Sequence, residues 1–121
     1  MERHVAGTIA EEMAAQHYRA RGFRVEARNL KIGGHEIDLV VRSGALLVLV
    51  EVRYRGHTAY ESPLASISPK KRKRILGAAN RLWQRVARDR TLERFRIDIA
   101  SVVSGDDGAF EVEIIAGAIT G

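Results

Sequence analysis

At 121 residues, 45% of them hydrophobic, the chain has the size of one domain and can bury a core without covalent staples. It contains no cysteine, which excludes disulfides, thiolate metal sites and a cysteine nucleophile, and no apolar run nears the roughly 20 residues that span a bilayer, so a cytoplasmic chain without membrane contact is expected. The net charge of +5 is unevenly spread: residues 70–90 carry a local +8 and the remaining positions sum to −3, which fits a polyanion partner or a solvated basic helix face.

Thr8 is placed as an N-cap with Glu11 at capping-box spacing, and Gly22 follows as a stop signal, so a helix is expected over residues 8–21. Its least polar face carries Ala6, Ala10, Met13, Ala14 and His17, with Glu11 at the edge of that face and Glu12 toward solvent. Residues 23–30 read as a weaker strand, and Gly33-Gly34 as a turn. Residues 36–42 alternate Ile37, Leu39 and Val41 with Glu36, Asp38, Val40 and Arg42. The next strand, LLVLVEVR at 46–53, is apolar on both faces until Glu51, as a central strand would be. Taking Ser43-Gly44 as the hairpin loop pairs Arg42 with Ala45 and sets Asp38 opposite Leu49 and Glu36 opposite Glu51. Asp38 and Glu51 are then diagonal neighbours on one face, shared with Arg53.

Both prolines, Pro63 and Pro69, fall in a long loop over residues 56–69. Ser68 then caps a helix with Pro69 at its first position, expected to run to about Arg90. At 100° per residue, Ile75, Ala78, Ala79, Leu82 and Val86 form its apolar face, flanked by Trp83 as a core anchor. Lys70, Arg74, Arg81, Arg85 and Arg88 form a basic stripe about 100° away, whereas Lys71 lies nearer the apolar face. Strands at 95–103 and 110–115 complete the order αβββαββ. That order predicts an α/β fold, an α/β/α sandwich with a central sheet.

Asp38 and Glu51 stand among apolar neighbours, where an unpaired charge is costly. Two partners satisfy them: Arg53 in a structural ion pair, or a divalent cation, since hard oxygen ligands from one or two carboxylates suit Mg²⁺. Glu11 offers a third carboxylate if the first helix packs on the sheet, although a capping box accounts for it as well. His4, His17, His35 and His57 have no metal-ligand spacing and read as surface or boundary residues. Asp98 reads as structural, paired with a basic residue.

Asp38, twelve residues, then Glu51-Val52-Arg53 resembles the D…(D/E)-x-K core of restriction-endonuclease-like nucleases. With Gly7-x-x-x-Glu11, GGHEIDLV from Gly33, VEVRYR from Val50, Lys71 and Arg96-x-Asp98, the chain is similar over residues 7–103 to the uncharacterised bacterial family UPF0102, or YraN-like. That family is itself similar to archaeal Holliday-junction resolvases. The resemblance implies a restriction-endonuclease-like mixed sheet and a phosphodiester-cleaving site. Glu11, Asp38, Glu51 and the Val52 carbonyl would bind Mg²⁺ or Mn²⁺, and Glu11, Asp38, Glu51 and Arg53 would form the catalytic set. A homodimer follows by analogy with the resolvases. Arg53 stands where the superfamily has lysine; it stays protonated and cannot act as a general base, but it can orient a phosphate or stabilise developing negative charge.

Lys70, Lys71, Arg74, Arg81, Arg85 and Arg88, with Arg55 directly after the site, form the expected nucleic-acid surface. Residues 74–88 span about 21 Å of helix rise, enough to follow several phosphates of a duplex. No base-reading element is evident, so structure-selective binding of DNA, branched DNA included, is expected ahead of RNA. The leading expectation is a metal-dependent endonuclease-like protein. The alternative is a non-catalytic nucleic-acid-binding module on the same scaffold.

Overall fold

The computed structural model describes residues 3–55 and 61–120. His57 and residues 56–60 of the expected loop lie outside the described residues, as does the side chain of His4. The elements are α1 (Arg3–Ala20), β1 (Arg24–Ile32), β2 (His35–Ser43), β3 (Leu46–Tyr54), α2 (Pro69–Val86), β4 (Arg94–Ser104) and β5 (Phe110–Ile115), in the expected order. The five strands form one sheet in sequential order, antiparallel except for the parallel pair β3–β4. A parallel pair needs a crossover, and α2 provides it.

One helix covers each face, the sandwich anticipated from the element order. Leu46, Val48 and Val50 pack with Ala14, Ala15 and Tyr18 of α1, while Leu47 and Leu49 pack with Ile75, Ala78, Ala79 and Leu82 of α2. Burial on both faces explains why the start of β3 is uninterrupted apolar sequence. Trp83 stacks beside Phe95 at 5.2 Å between ring centroids, which anchors the far end of α2 to β4.

Helix α1 differs from expectation at its start. It begins at Arg3, so Thr8 lies inside the helix and neither it nor Glu11 belongs to an N-terminal capping box. The preceding residues contain no proline, and one glycine, Gly7, costs only about 1 kcal/mol against continuation. The packed face is also turned from the expected one. Ala10, Ala14, Ala15 and Tyr18 are buried while Met13 and His17 are only half-buried, which brings Glu11 into the arc facing the sheet. The end is as anticipated. Gly22 at φ 87° donates to the Arg19 carbonyl at 3.0 Å, Phe23 N–H donates to the Tyr18 carbonyl at 3.1 Å, and the Phe23 ring meets Tyr18 edge-on.

The two hairpins set the register. Gly33 and Gly34, at φ 54° and 84°, form the β1–β2 turn with Ile32 paired to His35. In the second hairpin Ser43 pairs with Leu46, so the loop is Gly44-Ala45 and Arg42 pairs with Leu47. Gly44 takes the positive φ of 57° that Ser43 would adopt only with strain. Sliding the loop by one residue moves the register by two, which preserves the alternation over residues 39–43 and ends the ladder at Leu39↔Val50. Glu36 does not meet Glu51; it is exposed and pairs with Lys31 of β1.

Ser68 caps α2 by accepting Lys71 N–H at 3.1 Å, with Pro69 at the first helical position. The helix ends at Val86, which leaves Arg88 beyond it and shortens the basic stripe. Asp89 takes over the turn that follows, accepting Thr91 N–H at 2.9 Å and Arg42 Nη1 at 2.8 Å. Hydrogen bonds from Thr91 and then Arg42 hold its carboxyl down to about 2. Among the described residues no helix is long and apolar enough to cross a membrane.

Candidate active site

The β2–β3 ladder runs from Ser43↔Leu46 to Leu39↔Val50. Beyond it, Asp38 Oδ2 accepts Val52 N–H at 2.8 Å, so a side chain replaces a backbone partner where the strands part. Strand β2 rolls over at this point. Ile37 and Val40 both join the α2-side core, although residues three apart in a regular strand face opposite ways. Asn29, the β1 residue across from Asp38, takes φ 49°.

Glu51 is only 5% exposed and meets two groups. Lys71 Nζ lies 2.9 Å from Oε1, and His35 Nε2 lies 3.9 Å from Oε2, too long for a hydrogen bond. Lys71 reaches the sheet because its helical position falls beside the apolar face, as its spacing indicated. The first turn of α2 holds no acid, and residues 70–74 are all cationic. Cations there oppose the helix dipole, so local helix stability does not explain them. Two have defined partners: Lys71 takes Glu51, and Arg72 donates to the carbonyls of Ile67 at 2.9 Å and Leu64 at 2.7 Å, fixing the preceding loop.

Asp38 carries the clearest electrostatic signature. Burial, then repulsion from Glu51 and more weakly from Glu11, pushes its carboxyl up to about 7, against the Val52 N–H and Lys71, which lower it. Carboxylates from β3 and, more weakly, α1 therefore raise the Asp38 carboxyl. Among the described residues, no three His, Asp or Glu side chains close on a single point. Glu51 is the stronger of the two carboxylate influences on Asp38, and Glu11 acts more weakly from α1.

Arg53 does not form the ion pair expected of a structural role. Its Nη2 donates to the Ser66 carbonyl at 3.2 Å, and its buried Nε has no acceptor among the described residues. Lys71 fills the counter-ion place instead, arriving from α2 and not along β3. Val52 is paired with Ala100 of β4. Arg55 donates its backbone N–H to the Val102 carbonyl at 3.0 Å and its guanidinium to the Glu61 carbonyl. Lys70, Arg74, Arg81, Arg85 and Arg88 are exposed and form no ion pair with a described residue.

His35 was not recognisable as a site residue from spacing. Strand alternation sets it on the opposite face from Asp38, and only the roll of β2 brings both toward Glu51. Asp98 is structural, as expected: fully buried, it accepts Tyr18 Oη at 2.7 Å, Arg96 Nε at 2.8 Å and Gly117 N–H at 2.9 Å. A cavity of about 610 Å³ lies by the opposite end of β3, against Leu47, Leu82 and Val86, away from these carboxylates.

A family described as uncharacterised protein family UPF0102 matches residues 10–102. A UPF0102 protein of Sorangium cellulosum is 41% identical over 117 residues, covering 96% of this chain and 81% of its own. Another, from Symbiobacterium thermophilum, is 33% identical over 112 residues and covers 93% of each chain. Among solved structures, SfsA of Pyrococcus furiosus in complex with Ca²⁺ is similar over 93% of this chain, with a TM-score of 0.45 and 11% identity; this chain spans 63% of that one.

Proposed function

The chain belongs to the UPF0102 family, and we propose that it is a metal-dependent endonuclease-like protein that binds DNA, branched DNA included, and hydrolyses its phosphodiester bonds. The observation that carries this reading is the half-buried Asp38, pushed toward neutrality by burial and then by the neighbouring buried Glu51, which Lys71 ties to the first turn of a basic helix. Two carboxylates in mutual repulsion form a hard-oxygen donor set suited to Mg²⁺ or Mn²⁺. Asp38 and Glu51 would hold the ion, with Glu11 and the Val52 carbonyl as further donors. When bound, such an ion acidifies water and offsets charge on a phosphoryl group.

This chain's own residues do the remaining work. Lys71 holds Glu51 and places a positive charge beside the reacting region, where negative charge develops on phosphate. Burial and then the neighbouring Glu51 raise the Asp38 carboxyl to about 7, so Asp38 would give up its proton on binding a cation. Arg53, turned toward the Ser66 carbonyl, contributes charge and loop position, not proton transfer. The exposed cations of α2 supply phosphate contacts that position a duplex without reading its sequence.

The test incubates purified protein with four-way-junction, flap and single-stranded DNA in Mg²⁺ or Mn²⁺, beside Asp38→Asn and Glu51→Gln. Cleavage lost in both variants is expected; cleavage that both retain defeats the reading. The involvement of Arg53 with a loop carbonyl favours a second reading, a nucleic-acid-binding module without turnover. In that case DNA binds at physiological salt and no strand is cut with either metal.

A further inference from the structure

We infer that the β1–β2 turn and two arginines of α2 form a cradle for one backbone phosphate of a nucleic-acid strand, beside the carboxylates. This deepens the DNA-binding reading and rests on it. Between the hairpin tip and α2 lies a cavity of about 190 Å³, bordered by Gly33, Gly34, His35, Arg74, Gly77 and Arg81. At about 30 Å³ per water that is room for roughly six waters, more than one phosphate group requires. No carboxylate lines it, and neither arginine pairs with an acid among the described residues. Two guanidinium groups around a space with no acid form an anion site, and their forked donors match phosphate oxygens.

The Arg81 guanidinium lies directly over bare backbone at Gly33: a Cβ there would stand 2.9 Å from its Cζ and the guanidinium end would have to shift, and the φ of 54° favours glycine as well. Gly34 and Gly77 also leave their neighbourhood open. His35 stands between the cradle and Glu51, since it borders this cavity and also a small pocket lined by Glu51. Its buried Nε2 has no hydrogen-bond partner among the described residues. A strand anchored in the cradle would then run past His35 toward Asp38 and Glu51. The contact is to backbone phosphate, which carries no base sequence.

The test is a metal-free titration, in EDTA, of a twelve-base-pair DNA duplex, followed through the amide resonances of Gly33 and Gly34. Parallel arms use inorganic phosphate alone and Arg74→Gln, Arg81→Gln and Arg90→Gln. Arg90 is exposed and outside the cradle, so it controls for one lost charge. Saturable shifts at both glycines are expected, with affinity about tenfold weaker in Arg74→Gln and Arg81→Gln, the loss of one charge-assisted hydrogen bond. Duplex binding without glycine shifts, or an Arg81→Gln no weaker than Arg90→Gln, overturns the cradle. Shifts with phosphate but none with the duplex overturn its assignment to nucleic acid. Because no metal is present, failure of the cradle is separable from failure of cleavage, which Asp38→Asn reads.

Discussion

Lys71 and Glu51 meet at 2.9 Å although they belong to different elements, one in the first turn of α2 and the other on the central strand β3. The glutamate is almost fully buried and the lysine about one-third exposed, so the lysine is the side that solvent can replace. Removing it as Lys71→Met leaves a buried carboxylate without its cation. The expected loss is about 2 kcal/mol, below the range for fully enclosed pairs because solvent reaches the site. Urea unfolding of Lys71→Met, Glu51→Gln and the double variant checks this, with the double variant more stable than Lys71→Met. A loss in the double variant equal to the sum of the two single losses would mean that the residues do not interact.

Asp38 makes stability depend on pH in a defined direction. Its carboxyl moves from 3.8 up to about 7 on folding, so the folded state holds an extra proton between those values. Stability from this group therefore falls as pH rises from about 4 to about 7, and the whole penalty is present above that. Asp38→Asn keeps an oxygen acceptor for the Val52 N–H and removes the penalty. In metal-free buffer it should be more stable than the parent at pH 8, on the order of 2 kcal/mol, and no more stable at pH 4. Mg²⁺ at pH 8 should raise the melting temperature of the parent and leave that of Asp38→Asn unmoved, as differential scanning calorimetry would record.

What the sequence made legible depended on local chemistry. The apolar run at 46–50 identified the central strand because burial on both faces removes the need for alternation. Ser68-Pro69 marked the start of α2 because cap and first-turn chemistry reside in adjacent residues. The hairpin register turned on whether serine or glycine takes a positive φ, a choice between loops one residue apart. The parity of strand faces survived that displacement from Leu39 to Ser43, and failed beyond it, where β2 rolls at Asp38. Neither the roll of β2 that recruits His35 nor the choice of Lys71 over Arg53 as counter-ion is a period in the chain. The counter-ion depends on where α2 lands on the sheet.

Asp98 accepts hydrogen bonds from Tyr18, Arg96 and Gly117, tying α1, β4 and the segment after β5 together in the α1-side core. Burial and then the neighbouring Asp98 push the Tyr18 phenol up, so it remains a neutral donor. Tyr18→Phe should cost about 1–2 kcal/mol, since two donors still serve the carboxylate. Asp98→Ala strands all three donors and should cost about 3–5 kcal/mol. Chemical denaturation separates the two, and equal losses would mean that Tyr18 alone sustains the cluster.

The exposed cations of α2 give the DNA-binding reading a quantitative signature. If Lys70 and Arg85 each contact one phosphate, each contact adds about 0.9 to the magnitude of the slope of log affinity against log salt. Lys70→Gln and Arg85→Gln should each reduce that slope by about one, and their combination by about two, because the side chains are too far apart along the helix to share a phosphate. A general loss of positive charge would weaken binding for any exposed cation, so Arg90→Gln is the comparison. Fluorescence anisotropy of a labelled duplex between 50 and 200 mM salt, about the range over which such contacts are resolved, makes the measurement. Slopes unchanged in Lys70→Gln and Arg85→Gln would return these residues to a solvated helix face.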